Sequence, residues 1–338
     1  MTSLAAAPAR PRHDFADLRR EVKAAGLMEP RHAAYARTAA VVVTAFVAGW
    51  VAFALLGDSW WQLAVAAWLG IASTQLGFLG HDAGHHQVLR GTRGSSAIGL
   101  LVGDLAIGLG FGWWNDKHDA HHAHPNHVEL DPDLAPGALV FVERQAAGRA
   151  GVARFVTRWQ GVLFLPMLLL EGVNLQVSSL RATRTKDGGV RRLELALLLT
   201  HLVAYVGVVL WVLPLPMALA FFAVHQGVFG LYLGLSFAPN HKGMPTLTDA
   251  QAQDHLRAQV LTSRNVRPGR VVDVALGGLN YQIEHHLFPS MPRHNLRRAQ
   301  PLVEAFCRAR GVSYLETGLL ASYRQALGHL HAVGRAAR

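Results

Sequence analysis

Lys and Arg are absent from two long windows, residues 38–89 and 193–241, and all 32 of them fall outside those windows. Within them lie four apolar runs, at residues 38–56, 61–80, 193–213 and 216–238. Each is close to the roughly 20 residues that span a bilayer as helix. The composition agrees. Hydrophobic residues make up 51% and charged residues 16%, against roughly 25% charged in soluble domains, and mean hydropathy is +0.21. The net charge of +10 (32 basic minus 22 acidic) is segregated as membrane topology requires. It is therefore read as positive-inside bias and not as a nucleic-acid surface. One cysteine, Cys307, excludes an internal disulfide and is expected to be a reduced packing residue. Residues 1–14 lack the apolar core of a secretory signal and are expected to be a disordered arm.

The links between runs set the topology. Residues 57–60 and 213–216 are tight turns without Lys or Arg, so both are expected outside the cell. Two antiparallel hairpins follow, with both termini cytosolic. Residues 15–27 alternate apolar and charged positions at helical spacing, which predicts a short helix on the membrane surface. Residues 96–114 and 161–170 are apolar but are read as interfacial or re-entrant. A lone crossing by 96–114 would put two histidine clusters on opposite faces. The expected fold is all-α and integral to the membrane: four transmembrane helices in two hairpins, interfacial helices, and a cytosolic helical cap. Residues 1–36 form the arm and surface helix. Residues 37–338 form one membrane domain, its cap built from 81–192 and 241–338.

The chemistry is expected in three clusters: His81-Asp82-Ala83-Gly84-His85-His86, His118-Asp119-Ala120-His121-His122 and Gln282-Ile283-Glu284-His285-His286. His81 and His85 are i and i+4, and His118, His121 and His122 are i, i+3 and i+4, so each set shares a helix face. Gln282, His285 and His286 repeat that spacing. Imidazole suits iron, copper, zinc or nickel. A single H-x-x-x-H motif is weak, and surface histidines explain it as well. Three clusters on one side of a membrane point to a shared metal site. Without His86, their seven histidines exceed the four ligands of a tetrahedral zinc, so two metals are the simpler account. His86 turns away from its neighbours. His124 and His127 are read as loop groups, and His201 and His225, inside spans, as hydrogen-bonded links between helices. Asp82, Asp119 and Glu284 are candidates to orient imidazoles through the second ring nitrogen. Trp113 and Trp114 read as interface anchors. The basic stretch from Arg264 to Arg270 could face lipid headgroups or a carrier's phosphates.

These boxes resemble those of the integral-membrane fatty acid desaturases. The third box, Gln282-Ile283-Glu284-His285-His286-Leu287-Phe288-Pro289, is similar to that of the front-end subgroup, in which glutamine replaces the first histidine. Pro292-Arg293-His294-Asn295, Pro125-Asn126 and Asp131-Pro132-Asp133 extend the match, which runs from about Phe15 to the C-terminal helices. The resemblance implies a di-iron centre held by His81, His85, His118, His121, His122, His285 and His286. It adds His241, in Asn240-His241, as a further ligand. Gln282 stands where the family has a ligand, either coordinating or supporting one, and Asn240 is a supporting candidate.

The implied activity is oxygen-dependent insertion of a cis double bond into a long acyl chain carried by coenzyme A or a lipid, with O2 as co-substrate. Neither a flavin or nicotinamide fingerprint nor a cytochrome b5 heme motif occurs in the sequence. An external donor is implied, a ferredoxin or cytochrome b5 with an NAD(P)H reductase. The bias to Ala, Arg and Gly points to a GC-rich bacterial genome and hence the plasma membrane. The same ligands could serve a hydroxylase or ketolase acting on a fatty chain, sphingolipid or carotenoid. A metal transporter would need paired ligands inside the spans, which carry only Glu194, His201 and His225.

Overall fold

The computed structural model describes residues 13–183, 189–249 and 251–337, so residues 1–12 of the expected arm lie outside the described residues, while its last two, His13 and Asp14, open a helix. In chain order the helices are α1 (His13–Ala24), α2 (His32–Leu56), α3 (Gln62–Gly84), α4 (Thr92–Gly99), α5 (Phe111–Ala123), α6 (Glu143–Ala147), α7 (Gly151–Leu168), α8 (Glu171–Ala182), α9 (Gly189–Val212), α10 (Leu215–His241), α11 (His255–Leu261), α12 (Arg270–Ala275), α13 (Gln282–Leu287), α14 (Arg293–Ala309) and α15 (Leu319–Arg335). A π-helical turn, Leu100–Ile107, follows α4. Two short parallel strands, β1 (Asn265–Val266) and β2 (Glu316–Thr317), pair to tie the C-terminal segments together.

Among the described residues, four helices are long and apolar enough to cross a membrane: α2, α3, α9 and α10. They match the four apolar runs, but α3 and α10 continue beyond them. α3 continues through His81 to Gly84, and α10 ends at His241. Both therefore deliver candidate ligands at their C-terminal ends. α3 and α10 pack at close range. A Cβ at Gly70 would lie 2.9 Å from the His225 carbonyl oxygen and from Val228 Cβ. A Cβ at Gly230 would likewise lie 2.5 Å from the Leu168 carbonyl oxygen of α7. Small residues let backbones approach this way where lipid supplies no hydrophobic drive between helices. The α3–α10 contact carries a polar bond too, from Gln75 Nε2 to the Tyr232 hydroxyl at 2.7 Å. Other links reach α9: His225 Nδ1 meets the Tyr205 hydroxyl at 2.8 Å, and His201 Nδ1 donates to the Leu105 carbonyl at 2.9 Å.

The other apolar stretches do not run straight. The segment Thr92–Ile107 meets α5 at 114°, and α7 meets α8 at 85°. The first bend aims α5 at the histidines. Its N-terminal amides are held by carboxylates, Phe111 N by Asp104 Oδ2 at 2.9 Å and Gly112 N by Glu194 Oε1 at 2.5 Å. Anions at a helix N-terminus satisfy free N–H groups and the dipole together.

The expectation of a surface helix at residues 15–27 is corrected. Leu18 and Val22 of α1 are fully buried, packed with Val260, Ile283, Met291, Val303 and Cys307 in the largest core of the molecule. The amphipathic period is real, but a protein surface and not lipid covers its apolar face. The ion pairs of Asp14 and Asp17 with Arg310 hold it there. Replacing Leu18 with Ala should destabilise the detergent-solubilised protein by about 2–5 kcal/mol, read as a fall in Tm. The same truncation at Val41 on the exposed face of α2 should shift Tm little, and equal shifts would contradict this placement.

Candidate metal centre

All eight candidate histidines converge at the ends of α3 and α10, on α5 and on α13. The ring nitrogens of His81, His85, His118 and His285 lie within 4.8 Å of one another, and so do those of His121, His241 and His286. His122 joins the two groups, its ring centroid 4.7 Å from that of His285 and stacked at 4.2 Å on His286. The four sequence segments reach one point because α5 and α13 are short helices presenting an i, i+3, i+4 face. Their ligand residues are all buried.

The second ring nitrogens are tied down. His81 Nδ1 meets Asp82 Oδ1 at 3.2 Å, and Asp82 is ion-paired to Arg293 at 2.9 Å. His121 Nδ1 donates to Asp131 at 3.0 Å. His286 Nδ1 donates to Gln259 Oε1 at 2.9 Å, and His241 Nδ1 to the Thr262 carbonyl at 3.1 Å. Each such bond fixes the tautomer and turns the Nε2 lone pair inward. Nε2 of His81, His85, His285 and His286 and Nδ1 of His122 are buried with no hydrogen-bond partner. Buried polar atoms are nearly always satisfied. A cluster of aligned, unpartnered imidazole nitrogens is the donor set of a nitrogen-loving metal, and the residues fit one. Burial, reinforced by neighbouring imidazoles, holds His118, His122, His285 and His286 well below the usual histidine range, neutral and ready to coordinate.

The supporting residues differ from the sequence expectations. Asp82 does orient an imidazole, but Asp119 is exposed on the outer side of α5 and orients none. Glu284 faces away from the histidines and accepts from Asn265 Nδ2 and the Tyr314 hydroxyl, each at 2.7 Å. Burial pushes its carboxyl up to about 7 against those two bonds. Gln282 does reach the centre, with Nε2 2.9 Å from His241 Nε2, and Asn240 Nδ2 donates to Gln282 Oε1 at 3.0 Å. Asn240 thus acts on Gln282, not on the histidines. Trp114 is not an interface anchor. Its ring stacks on His118 with centroids 4.4 Å apart, because the 114° bend folds α5 inward. Arg264 faces neither headgroup nor phosphate. It is fully buried, donating to the carbonyls of Pro239 and Lys242 at the end of α10 and to Gln325. His86 is exposed, and His127 pairs with Asp249 at 2.8 Å, away from the centre.

Three partners were not singled out for these roles in the sequence: Asp131, Gln259 and the Thr262 carbonyl. Asp131 had a signal, its place in the Asp131-Pro132-Asp133 stretch. Gln259 had none, since its partner is 27 residues away.

A cavity of about 650 Å³ opens against this centre. His81, His118, His121, His241 and Gln282 form one part of its wall, Phe78, Ile107, Leu168, Leu233 and Phe237 an apolar part, and Lys117, Asp133, Glu171 and Lys242 a charged one.

Comparison with known proteins agrees with this geometry. The Fatty acid desaturase family profile matches residues 58–318. An acyl-lipid (9-3)-desaturase of Physcomitrium patens is 31% identical over 81% of this chain and 54% of its own length. The Delta(5) fatty acid desaturase fat-4 of Caenorhabditis elegans is 32% identical over 89% of this chain and 69% of its own. The Delta(6)-fatty-acid desaturase fat-3 of the same animal is 30% identical over 80% and 64%. The chain thus spans between about half and two thirds of the length of these relatives. With three histidine boxes in one buried cluster and a family match across most of its length, the chain belongs to the fatty acid desaturase family.

Proposed function

We propose that this protein is an oxygen-dependent acyl desaturase that places a cis double bond in a long fatty acyl chain carried by coenzyme A or a lipid. The observation that carries the reading is an apolar cavity ending on a buried cluster of neutral imidazoles. Two irons would be held there, by His81, His85, His118 and His285 in one group and by His121, His241 and His286 in the other, with the His122 ring beside both groups. Gln282 lies beside His241. When bound, iron supplies the oxygen activation needed to break unactivated methylene C–H bonds, which acid–base side chains cannot do.

The chain's own residues position and exclude. The apolar wall holds the acyl chain extended against the histidines and keeps bulk water out. The Nδ1 tethers to Asp82, Asp131, Gln259 and the Thr262 carbonyl keep the rings from rotating when charge at the centre changes. Overall the substrate loses two hydrogens from adjacent carbons. With dioxygen, two electrons and two protons, the products are the alkene and two waters. The electrons come from outside, from a ferredoxin or cytochrome b5 with its NAD(P)H reductase.

In this reading α2 with α3, and α9 with α10, are two transmembrane hairpins in the plasma membrane. Their uncharged turns are external, and the termini and the histidine cap are cytosolic. Exposed Trp60, Trp61 and Trp211 near those turns mark the far interface.

Expression in a host fed mono- and di-unsaturated acids should yield a new double bond in the fatty-acid methyl ester profile, absent with His285→Ala. A hydroxylated or keto product would overturn the desaturase reading. For the purified protein, Asp131→Asn should lower metal affinity by about 10- to 100-fold, measured by chelator competition. Unchanged affinity would remove Asp131 from its tethering role.

A further inference from the structure

One ring set among the ligand imidazoles is not itself a ligand. Trp114 lies nearly flat on His118, with centroids 4.4 Å apart and planes 23° from parallel. Its centroid is also 5.4 Å from that of His81 and 6.4 Å from that of His85. Three of the four histidines in one ligand group therefore surround one indole. Space is kept for it. A Cβ at Gly84, between His81 and His85, would lie 2.9 Å from Trp114 Cζ3. Packing alone would be met by any aromatic ring of suitable size. Phe237 is such a ring, 6.5 Å from His81. Among the described residues, Trp114 and Phe237 are the two non-histidine rings that approach the ligand imidazoles.

Redox chemistry separates the two. Indole gives up an electron far more readily than benzene or imidazole. A centre strong enough to break methylene C–H bonds also oxidises indole, and Trp114 is the indole stacked on it. With an acyl chain in the cavity, the C–H bonds supply the last two electrons. With the cavity empty, the oxidising equivalents fall on whatever lies nearest. We infer that Trp114 is a one-electron relay that discharges the centre when no acyl chain is in place, and so spares the ligand histidines. The inference rests on the desaturase reading above and adds a protective reaction at the same site. Its balance is that of an oxidase: dioxygen takes four electrons and four protons and leaves as two waters. Two electrons arrive from the external carrier as in desaturation. The other two pass through Trp114 one at a time. In each pass the indole loses an electron and its N–H proton, then regains the electron from the carrier and the proton from solvent. Electron transfer falls steeply with distance, and the stacked contact gives Trp114 a short path to His118.

The test is a single turnover of the full chain in lipid nanodiscs, loaded with iron, reduced with dithionite, desalted and mixed with oxygenated buffer. Without an acyl probe, freeze-quenched wild-type samples should show the electron paramagnetic resonance signal of a tryptophan radical. Linoleoyl-CoA or linoleoyl-phosphatidylcholine, whichever turns over, should suppress that signal and yield a new alkene. Trp114→Phe keeps a stacked ring and should bind the same amount of iron, yet lose the signal. Peptide mass spectrometry of that variant after repeated substrate-free cycles should find oxidised His118 or His81, both intact in the wild type. Trp114→Tyr should bring back a radical, now with a tyrosyl signature. The wild-type samples decide the question even where a variant fails to fold. No tryptophan radical in substrate-free wild type would overturn the relay alone. So would a tryptophan signal that persists in Trp114→Phe, or equal histidine oxidation in the two proteins. No alkene from wild type with either acyl probe would overturn the desaturase reading with it.

Discussion

Eight imidazoles are buried together, and five of their nitrogens meet no protein partner. Leaving one buried polar atom unpaired costs about 1–3 kcal/mol, so the set stands on the order of 10 kcal/mol. That is as large as the net stability of a typical domain. A fold can carry such a burden only if something fills the cluster. The rest of the architecture follows from placing those rings and keeping water from them. α3 and α10 end there, α5 is bent inward to reach it, and α13 closes it from the C-terminal side. Metal binding and folding are therefore expected to be coupled.

The membrane helps to set this geometry. Two helices that end at the same level bring His81 and His241 together without a long-range loop. Gly70 allows the approach. Short segments then add the other rings. Arg264 gives the end of α10 a buried cation against its carbonyls, which complements the negative helix terminus next to His241. Asp104 and Glu194 do the converse at the start of α5. Fixed charges at opposite helix poles hold two of the ligand-bearing elements.

The sequence showed the parts that are local or repetitive. Charge segregation gave the four spans, and i, i+3, i+4 spacing gave the ligand faces. His241 came only through resemblance, since a single histidine has no pattern. What the sequence could not show was which side of an amphipathic or aromatic element would be covered, and by what. α1 has the same period whether lipid or α14 lies over it. Trp114 reads as an interface residue until the bend before α5 turns it onto His118. Arg264 sits in a basic stretch, but its neighbours in space are carbonyls from α10 and a glutamine on α15. Asp119 and Glu284 flank ligands in sequence, yet a helix turns adjacent residues about 100° apart. The true second partners, Gln259 and the Thr262 carbonyl, come from a separate segment with no spacing signal.

The central claim is that the cluster holds two metals in nitrogen-rich coordination. The most direct measurement is the metal stoichiometry of the purified protein, with X-ray absorption at the iron edge. About two irons per chain are expected, with a first coordination sphere dominated by imidazole nitrogen. A single metal per chain, or a tetrahedral zinc site that excludes iron, would contradict it.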